Sequence, residues 1–349
     1  MRRSVSIRAA LSGAALVAGL VGTAQAAERY LIHVVPDFAG LEAADNGAPV
    51  LVSETGRRFL IRLKNGTVNL QPITVPERPV LPRGALPDAV VGYRTDTRGG
   101  ALAAWLDQPT TRYGHAVLGD GIEAGGLSVR YGDGSVGQLT LAADRVFEDR
   151  LARITGYDYQ GRAALMTVTS YLDAGAALTL VDPGAPGGAA PRVLAEAPAI
   201  GTPNRWLNPV GAADVDGDGR VEFLAVITPH IGGTLRAYEH HGPALVADHA
   251  LEGFSNHAYG SRELGLSGLA DLDNPPDGIA EAIVPNAMRD AMKVVRFSGG
   301  PPRIVASLTP GARIIHKLVI HDLDGDGVPE LIFGAENNSL VIWTPGIDR

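Results

Sequence analysis

Apolar residues in this chain recur at every second position far more often than at every third or fourth. In the stretch 58–63, Phe59, Ile61 and Leu63 fall on one face and Arg58, Leu60 and Arg62 on the other, which is the pattern of a half-buried strand. Asn65-Gly66 comes next, then Val68, Leu70 and Pro72; an Asn-Gly pair between alternating runs predicts a tight hairpin. Comparable hairpins are predicted at Leu127 to Ala142, Leu178 to Leu194, Leu235 to Ala247 and Val294 to Leu308. Gly, Pro and Asn separate the runs, and helical periodicity is nearly absent. The pattern therefore predicts an all-β chain.

Between the hairpins lie acidic turns. In His321-Asp322-Leu323-Asp324-Gly325-Asp326-Gly327-Val328-Pro329-Glu330-Leu331, three Asp stand on alternate residues and Glu330 follows Asp322 by eight. A tight turn can aim Asp322, Asp324, Asp326 and Glu330 at one point. That many hard oxygens suit Ca²⁺, which takes six to eight oxygen ligands at about 2.3–2.6 Å. An EF-hand needs a bidentate Glu at loop position 12 and flanking helices. Position 12 here is Phe333, and the loop runs into a short β-like segment, so it joins strands.

The design recurs upstream. Asp214, Asp216, Asp218 and Glu222 repeat the spacing unchanged, and Asp271, Asp273, Asp277 and Glu281 repeat it with two added residues, Pro275 and Pro276 falling inside the insertion. An eroded copy aligns at Gly156, Asp158, Gln160, Gly161 and Ala164, without most of the carboxylates. The offsets between copies are 58, 57 and 51 residues, a period that indicates one supersecondary unit per repeat. These loops resemble the FG-GAP or VCBS repeat, the calcium-loop blade of integrin α-subunit propellers and many secreted bacterial propellers. The resemblance is clearest from 145 to 349. It implies a strand-to-strand loop within each blade, Ca²⁺ as the ion, and backbone carbonyls of Arg220 and Val328 as further donors. It implies no activity, because one fold hosts many functions.

Residues 27–349 divided by a repeat of about 55 residues make about six units. We therefore expect a single β-propeller of six blades, with seven as the alternative count because 79–123 is poorly patterned. The last blade lacks an outer strand after Leu340-Val341-Ile342-Trp343. Tyr30 to Val35, otherwise unassigned, is expected to pair with it and remove an exposed edge.

Composition adds an address. Arg2 and Arg3 precede an apolar run from Ala9 to Val21, and Ala24-Gln25-Ala26 is a small-x-small cleavage site. Residues 1–26 read as a secretory signal peptide, so the product is expected to be secreted, and periplasmic in a Gram-negative source. There is no Cys and the formal charge is −8, becoming −11 without the first 26 residues. No basic run marks a nucleic-acid partner, and no later segment is long and apolar enough to span a membrane. A monomer is expected.

One further regularity concerns ligands. Arg205, Arg262 and Arg313 each precede the first Asp of their loop by nine residues. At about 3.3 Å per residue this places them at the end of the blade opposite the loop, where three guanidiniums suit a carboxylate or phosphate; the alternative is that each ties its blade to a neighbouring acid. His316, before the last loop, is expected to face the channel and is grouped with them, as is His115, which with Asp120 or Glu123 could serve acid–base work. No nucleophile elbow, phosphate loop or dinucleotide fingerprint is present. The expected function is a calcium-stabilised binding or scaffold protein for an anionic ligand at the channel mouth. The alternatives are a hydrolase or lyase acting on an acidic saccharide, and a protein adhesion module.

Overall fold

The coordinates are a computed structural model describing residues 28–44, 46–64, 66–74, 80–94 and 101–347. The signal-peptide segment 1–26 and Asn65 of the expected Asn-Gly turn lie outside them. The described residues contain strands and turns and no helix, as the two-residue periodicity predicts.

In chain order the strands are β1 (Arg29–Val34), β2 (Phe38–Ala43), β3 (Pro49–Ser53), β4 (Arg58–Lys64) and β5 (Thr67–Ile73), then β6 (Gly92–Tyr93), β7 (Ala101–Thr110), β8 (Glu123–Tyr131), β9 (Val136–Thr140) and β10 (Arg145–Phe147). The third antiparallel group is β11 (Arg153–Tyr159), β12 (Arg162–Tyr171), β13 (Gly175–Asp182) and β14 (Arg192–Glu196), and the fourth is β15 (Leu207–Ala213), β16 (Glu222–Ile227), β17 (Gly233–His241) and β18 (Ala244–Phe254). A fifth holds β19 (Gly268–Ala270), β20 (Glu281–Pro285), β21 (Met292–Arg296) and β22 (Arg303–Leu308), and the chain ends with β23 (Ile314–His321), β24 (Glu330–Ala335) and β25 (Ser339–Thr344). Strands β2 to β5 form one four-stranded sheet and β19 to β22 another, while β10 and a single β14–β18 bridge join the groups β6–β9, β11–β14 and β15–β18 into one curled 13-stranded sheet. Each predicted hairpin matches a strand pair: β4–β5, β8–β9, β13–β14, β17–β18 and β21–β22.

The last sheet is completed from the start of the chain. Strand β1 pairs antiparallel with β25 from Arg29↔Thr344 to Val34↔Ser339, and the Trp343 indole donates to Glu28 Oε1 at 2.9 Å.

The middle strands of the groups are buried on both faces. Strands β13, β20 and β24 are buried throughout, because alternate side chains enter different cores. On β16, Phe223 and Ala225 pack with Met166 and Leu178 of the preceding group, whereas Leu224 and Val226 pack with Val284 and Phe297 of the following one. On β24, Leu331 and Phe333 meet Ile283 and Val294, while Ile332 meets Leu41, Leu51 and Ile61. A fifth core joins Leu127, Val129 and Phe147 to Leu165 and Val181. Five cores thus link each group to the next from the second to the sixth, and the sixth to the first. Among the described residues no such core joins the first group to the second. Outer strands such as β5 and β9 alternate between exposed and half-buried residues, which is why they were the most legible in sequence.

Antiparallel pairing reverses the chain at every turn, and this sorts the loops. The acidic turns β15–β16, β19–β20 and β23–β24 lie at one end of their groups. The segments preceding β15, β19 and β23, and the turns β7–β8, β16–β17, β20–β21 and β24–β25, lie at the other.

Acidic loops and the polar cluster at the opposite end

The loops at 214 and 322 share one hydrogen-bond pattern. Asp214 accepts from the amides of Gly217 and Gly219 at 2.7 and 2.9 Å; Asp322 accepts from Gly325 and Gly327 at 2.7 and 3.0 Å. Asp216 and Asp324 accept from the amides two residues on, and Asp218 and Asp326 accept from Arg220 and Val328 at 2.8 and 2.9 Å. Glu222 accepts from the Val215 amide and Glu330 from the Leu323 amide, at 2.8 and 2.7 Å. The glycines permit this wrap: Gly217, Gly219, Gly325 and Gly327 have φ between 81° and 91°, a region closed to most side chains.

The result is a set of oxygens pointing inward. Ligand atoms of Asp214, Asp216 and Asp218 lie within 4.8 Å of one another, as do those of Asp271, Asp273 and Asp277, and those of Asp322, Asp324 and Glu330. An all-carboxylate set can hold a metal ion, and its chemistry fits a hard cation. Burial, with the neighbouring Asp216, Asp214 and Asp218 charges adding to it, pushes the Glu222 carboxyl up to about 7 against the opposing Val215 bond. Burial likewise raises Glu330.

The middle loop differs because a guanidinium already occupies its inner side. Arg296, 7% exposed, donates to Glu281 Oε1 at 2.9 Å and forms a short ion pair with Asp273. Glu281 also accepts from the Leu272 amide at 3.0 Å, and Asp271 and Asp277 accept loop amides as in the other copies. Arg296 thus engages two of the four carboxylates, and its single positive charge offsets one of their negative charges, so this loop offers a cation less uncompensated charge than its four carboxylates alone would. Replacing Arg296 by Met is expected to destabilise the chelated protein by about 3–5 kcal/mol, the usual cost of leaving buried charges unpaired. A divalent ion should recover part of that loss. Chemical denaturation with and without the ion measures both effects, and a variant as stable as the parent in chelator would show that the pair contributes little.

The outer loops have looser cationic neighbours. Arg29 reaches Asp326 at 3.2 Å and Asp324 at 3.6 Å, so the first described strand also caps the last loop. A cleft of about 320 Å³ runs between this loop and the middle one, lined by Arg29, Asn274, Asp326 and Thr344 among others. At the first loop His249 Nε2 is 3.4 Å from Asp216, and Arg220 pairs with Glu239. The eroded copy becomes a tight turn between β11 and β12 in which Asp158 accepts the Gly161 amide at 2.6 Å.

At the opposite end the three arginines do not share one partner. Arg262 reaches Asp120 at 3.1 Å and Asp88 at 3.7 Å, acids of the second group's loops, and Arg313 pairs with Glu336 at 3.2 Å. Arg205 donates to the Asn204 carbonyl at 3.2 Å and has no acidic partner among the described residues. His316 packs on Phe38 with ring centroids 4.7 Å apart, and burial lowers its pKa.

His115 has a different partner from the two acids its neighbourhood in sequence offers. Its Nδ1 lies 2.7 Å from Oε1 of Glu148, whose other oxygen accepts from Ser170 Oγ at 2.5 Å. Asp120 instead accepts the Ile122 amide and the Arg262 guanidinium. Glu123 is 2% exposed, and its carboxyl has no hydrogen-bond partner among the described residues. It stands next to Glu148 across the β8–β10 pair, since Phe147 is opposite Ala124. Burial, and secondarily the charges of Glu148, Asp120, Asp88 and Asp149, push its carboxyl up to about 9.

A second imidazole pair lies alongside. His230 Nε2 is 2.8 Å from His257 Nδ1, and His257 Nε2 is 2.9 Å from the Ser261 carbonyl. Burial, assisted by Arg289, pulls His230 down to about 4; burial also brings His257 to about 4 against the Ser261 bond. Both rings pack on Trp206, and the Tyr259 ring sits 6.1 Å from His115 and 5.6 Å from His230. The Trp206 indole donates to the Glu148 carbonyl at 2.9 Å, and the Tyr259 hydroxyl donates to the His115 carbonyl at 2.9 Å. Backbone strain collects here: Ala116 and the β-branched Thr228 have φ of 54° and 52°, unusual values for such side chains.

Sequence reasoning reached His115 but missed Glu148, Ser170, His230, His257 and Tyr259 as its neighbours. His115, Glu148, His230 and the pair His257 and Tyr259 come from four separate connections and Ser170 from strand β12, and only the polar Glu148-Asp149 pair directly after Val146-Phe147 hinted at a buried charge. No protein-family profile matches the chain, and no curated protein matches it significantly.

Proposed function

We propose that the chain is a calcium-stabilised β-propeller of six blades, of the FG-GAP or VCBS type, exported from the cell and acting as a binding or scaffold protein. The observation that carries this reading is the shared hydrogen-bond pattern of the loops at 214 and 322, which places the same carboxylates at the same turn of two separate four-stranded groups. Five interfacial cores and the β1–β25 pairing support a ring, with the first and second groups as the remaining junction. The anionic-ligand reading rests on Arg205, because Arg262 and Arg313 already have acidic partners. A hydrolase or lyase reading comes second, carried by the Ser170–Glu148–His115 chain, in which a carboxylate orients an imidazole as a general base requires.

Titration calorimetry on chelated protein tests the metal. Two tight calcium sites and a weaker third are expected, with Mg²⁺ binding less well because it demands a strict octahedron and dehydrates reluctantly. Absence of any calcium heat would sink the assignment.

The affinity should depend on pH with a definite sign. Without metal the Glu222 carboxyl is raised from 4.5 to about 7, so its contribution to stability is fully present below about 4.5 and is lost as pH rises through about 7. Calcium must displace that proton. The melting-temperature increment produced by calcium should therefore be larger at pH 8 than at pH 5.5, and Glu222→Gln should flatten the difference. An increment that does not change with pH would show that Glu222 takes no part.

A further inference from the structure

Three arginines of this protein present one edge of the guanidinium to an acid. Nε and Nη2 of Arg58 donate to the two oxygens of Glu42 at 2.8 and 3.2 Å, those of Arg145 to Asp144 at 2.8 and 3.0 Å, and those of Arg162 to Asp182 at 3.1 Å each. That edge forms two parallel N–H bonds and matches a planar carboxylate. In half-buried Arg289 the same edge meets nothing. Its Nη1 donates to Ser255 Oγ at 2.9 Å and to the His257 carbonyl at 3.0 Å, on a segment whose residues Ser255, Asn256 and His257 are fully buried. Nε and Nη2 have no partner among the described residues; Nε is sealed from solvent and Nη2 is not.

The backbone fixes this side chain in place. Arg289 stands in the β20–β21 turn with φ of 56°, a left-handed conformation that a bulky residue adopts only where its surroundings hold it. Its amide donates to the Asn286 carbonyl at 2.8 Å and its carbonyl accepts from the Ile314 amide at 2.6 Å. The turn is thus tied to the segment before β23, and the side chain crosses to the segment before β19. Burial lowers the Arg289 pKa, and the charge of Arg313 adds to this against that of Glu336; the guanidinium stays charged all the same. Arg313 and Glu336 pair with each other at 3.2 Å. The single positive charge of Arg289 is therefore left over, and a partly buried charge without a partner is costly.

We propose that the Nε–Nη2 edge of Arg289 binds the carboxylate of a small organic acid. The proposal rests on the binding-protein reading and gives its anionic ligand a second arginine, at the same end of the molecule as Arg205 but outside the regular spacing that marks Arg205, Arg262 and Arg313. Two properties of a carboxylate fit. It is planar, with two oxygens that meet Nε–H and Nη2–H together as Glu42, Asp144 and Asp182 do elsewhere in this chain. It also carries one negative charge, which equals the charge left over once Arg313 and Glu336 have paired. A phosphate dianion brings a second charge that nothing at Arg289 answers. A neutral amide offers only one oxygen to the edge and leaves the guanidinium uncompensated. Because Nη2 is open and Nε lies behind it, the acid enters with its carboxylate foremost. This end of the molecule is opposite the acidic loops, so ligand and metal would not compete.

The test uses the whole chain in calcium buffer, with acetate, benzoate and galacturonate as probes, acetamide, benzamide and galactose as their neutral counterparts and methyl phosphate as the dianion, each at up to about 20 mM, well above the millimolar constants of weak ligands. Saturation-transfer NMR reads binding of the larger probes. In nitrogen-15-labelled protein the sealed Nε–H of Arg289 should give a slowly exchanging resonance, assigned by its contacts to Ser255 and His257, and this reports from the site for every probe. At least one carboxylate should bind and shift that resonance, while its neutral counterpart should not. Arg289→Gln should weaken binding by about tenfold or more, the loss of charged hydrogen bonds. Arg289→Lys should do the same, because an ammonium keeps the charge and loses the fork. Melting curves check that both variants fold, and the parental resonance tests the site even if they do not. The proposal is overturned if no carboxylate binds, if the neutral counterparts bind equally well, if only methyl phosphate binds, if either folded variant binds as the parent does, or if binding leaves the Arg289 resonance in place. Binding that Arg205→Gln abolishes while that resonance stays unmoved would overturn this site and leave the anionic-ligand reading standing. Calorimetry with calcium on the same samples separates either failure from failure of the calcium-propeller reading.

Discussion

Removing calcium should lower the melting temperature of this protein by about 10 °C or more. An ion at a hundred times its dissociation constant stabilises the folded state by about 2.7 kcal/mol, and on the proposed reading the loops at 214 and 322 would supply two such sites. In a chain of this size each kcal/mol moves the midpoint by about 2–4 °C. The same reasoning ranks the substitutions. Asp214→Ala and Asp322→Ala remove a carboxylate that also accepts two loop amides, so each should abolish its site and loosen the turn. Asp158→Ala, in the eroded copy, removes one amide bond and should cost about 1 kcal/mol. Differential scanning calorimetry in calcium and in chelator distinguishes these outcomes. Equal melting in both buffers, or equal losses for Asp158→Ala and Asp322→Ala, would remove the physical basis for the metal loops.

Deleting residues 28–35 should have the larger consequence. Strand β1 covers the whole of β25, with Tyr30 opposite Trp343 and Ile32 opposite Val341, and Arg29 reaches the carboxylates of the last loop. Without it β25 becomes an open edge of mostly apolar residues, a template for pairing with other chains. The truncated protein is expected to aggregate, and a synthetic peptide of residues 28–35 in excess should restore the monomer by occupying the vacant edge. Light scattering and size exclusion read both results. A truncated chain that stays monomeric and melts at the parental temperature would mean that β1 is a dispensable addition to the last sheet.

The legible parts of this protein were those in which cause and effect lie within about a dozen residues. Alternation from 58 to 63 settles which side chains face inward, because strand geometry has a period of two. Asp, Gly and Glu at fixed offsets settle the acidic turns, because a loop that bends back on itself needs glycine φ values and amide acceptors supplied by its own residues. Even the end of the group at which Arg205, Arg262 and Arg313 lie follows from counting along a strand. The pairing of β1 with β25 was accessible by elimination, since a strand without a partner and a sheet without an edge strand answer each other.

Charge pairing across the chain was not accessible in that way. Arg296 enters the middle loop from β21, Arg262 meets Asp120 at a separation of 142 residues, and His115 finds Glu148 rather than the nearer Asp120 or Glu123. Local pattern carries no information on such contacts, because which groups meet depends on how one four-stranded sheet packs on the next. By itself the sequence determined the strands, the hairpins and the acidic turns, each set by local backbone geometry. Only the tertiary structure decided that the middle loop already holds a guanidinium, that two of the three arginines are answered by acids, and that His115, His230 and Tyr259 share one end of the molecule. The physical reason is that burial and long-range electrostatics act between residues brought together by packing, and nothing in their spacing along the chain encodes the distance between them.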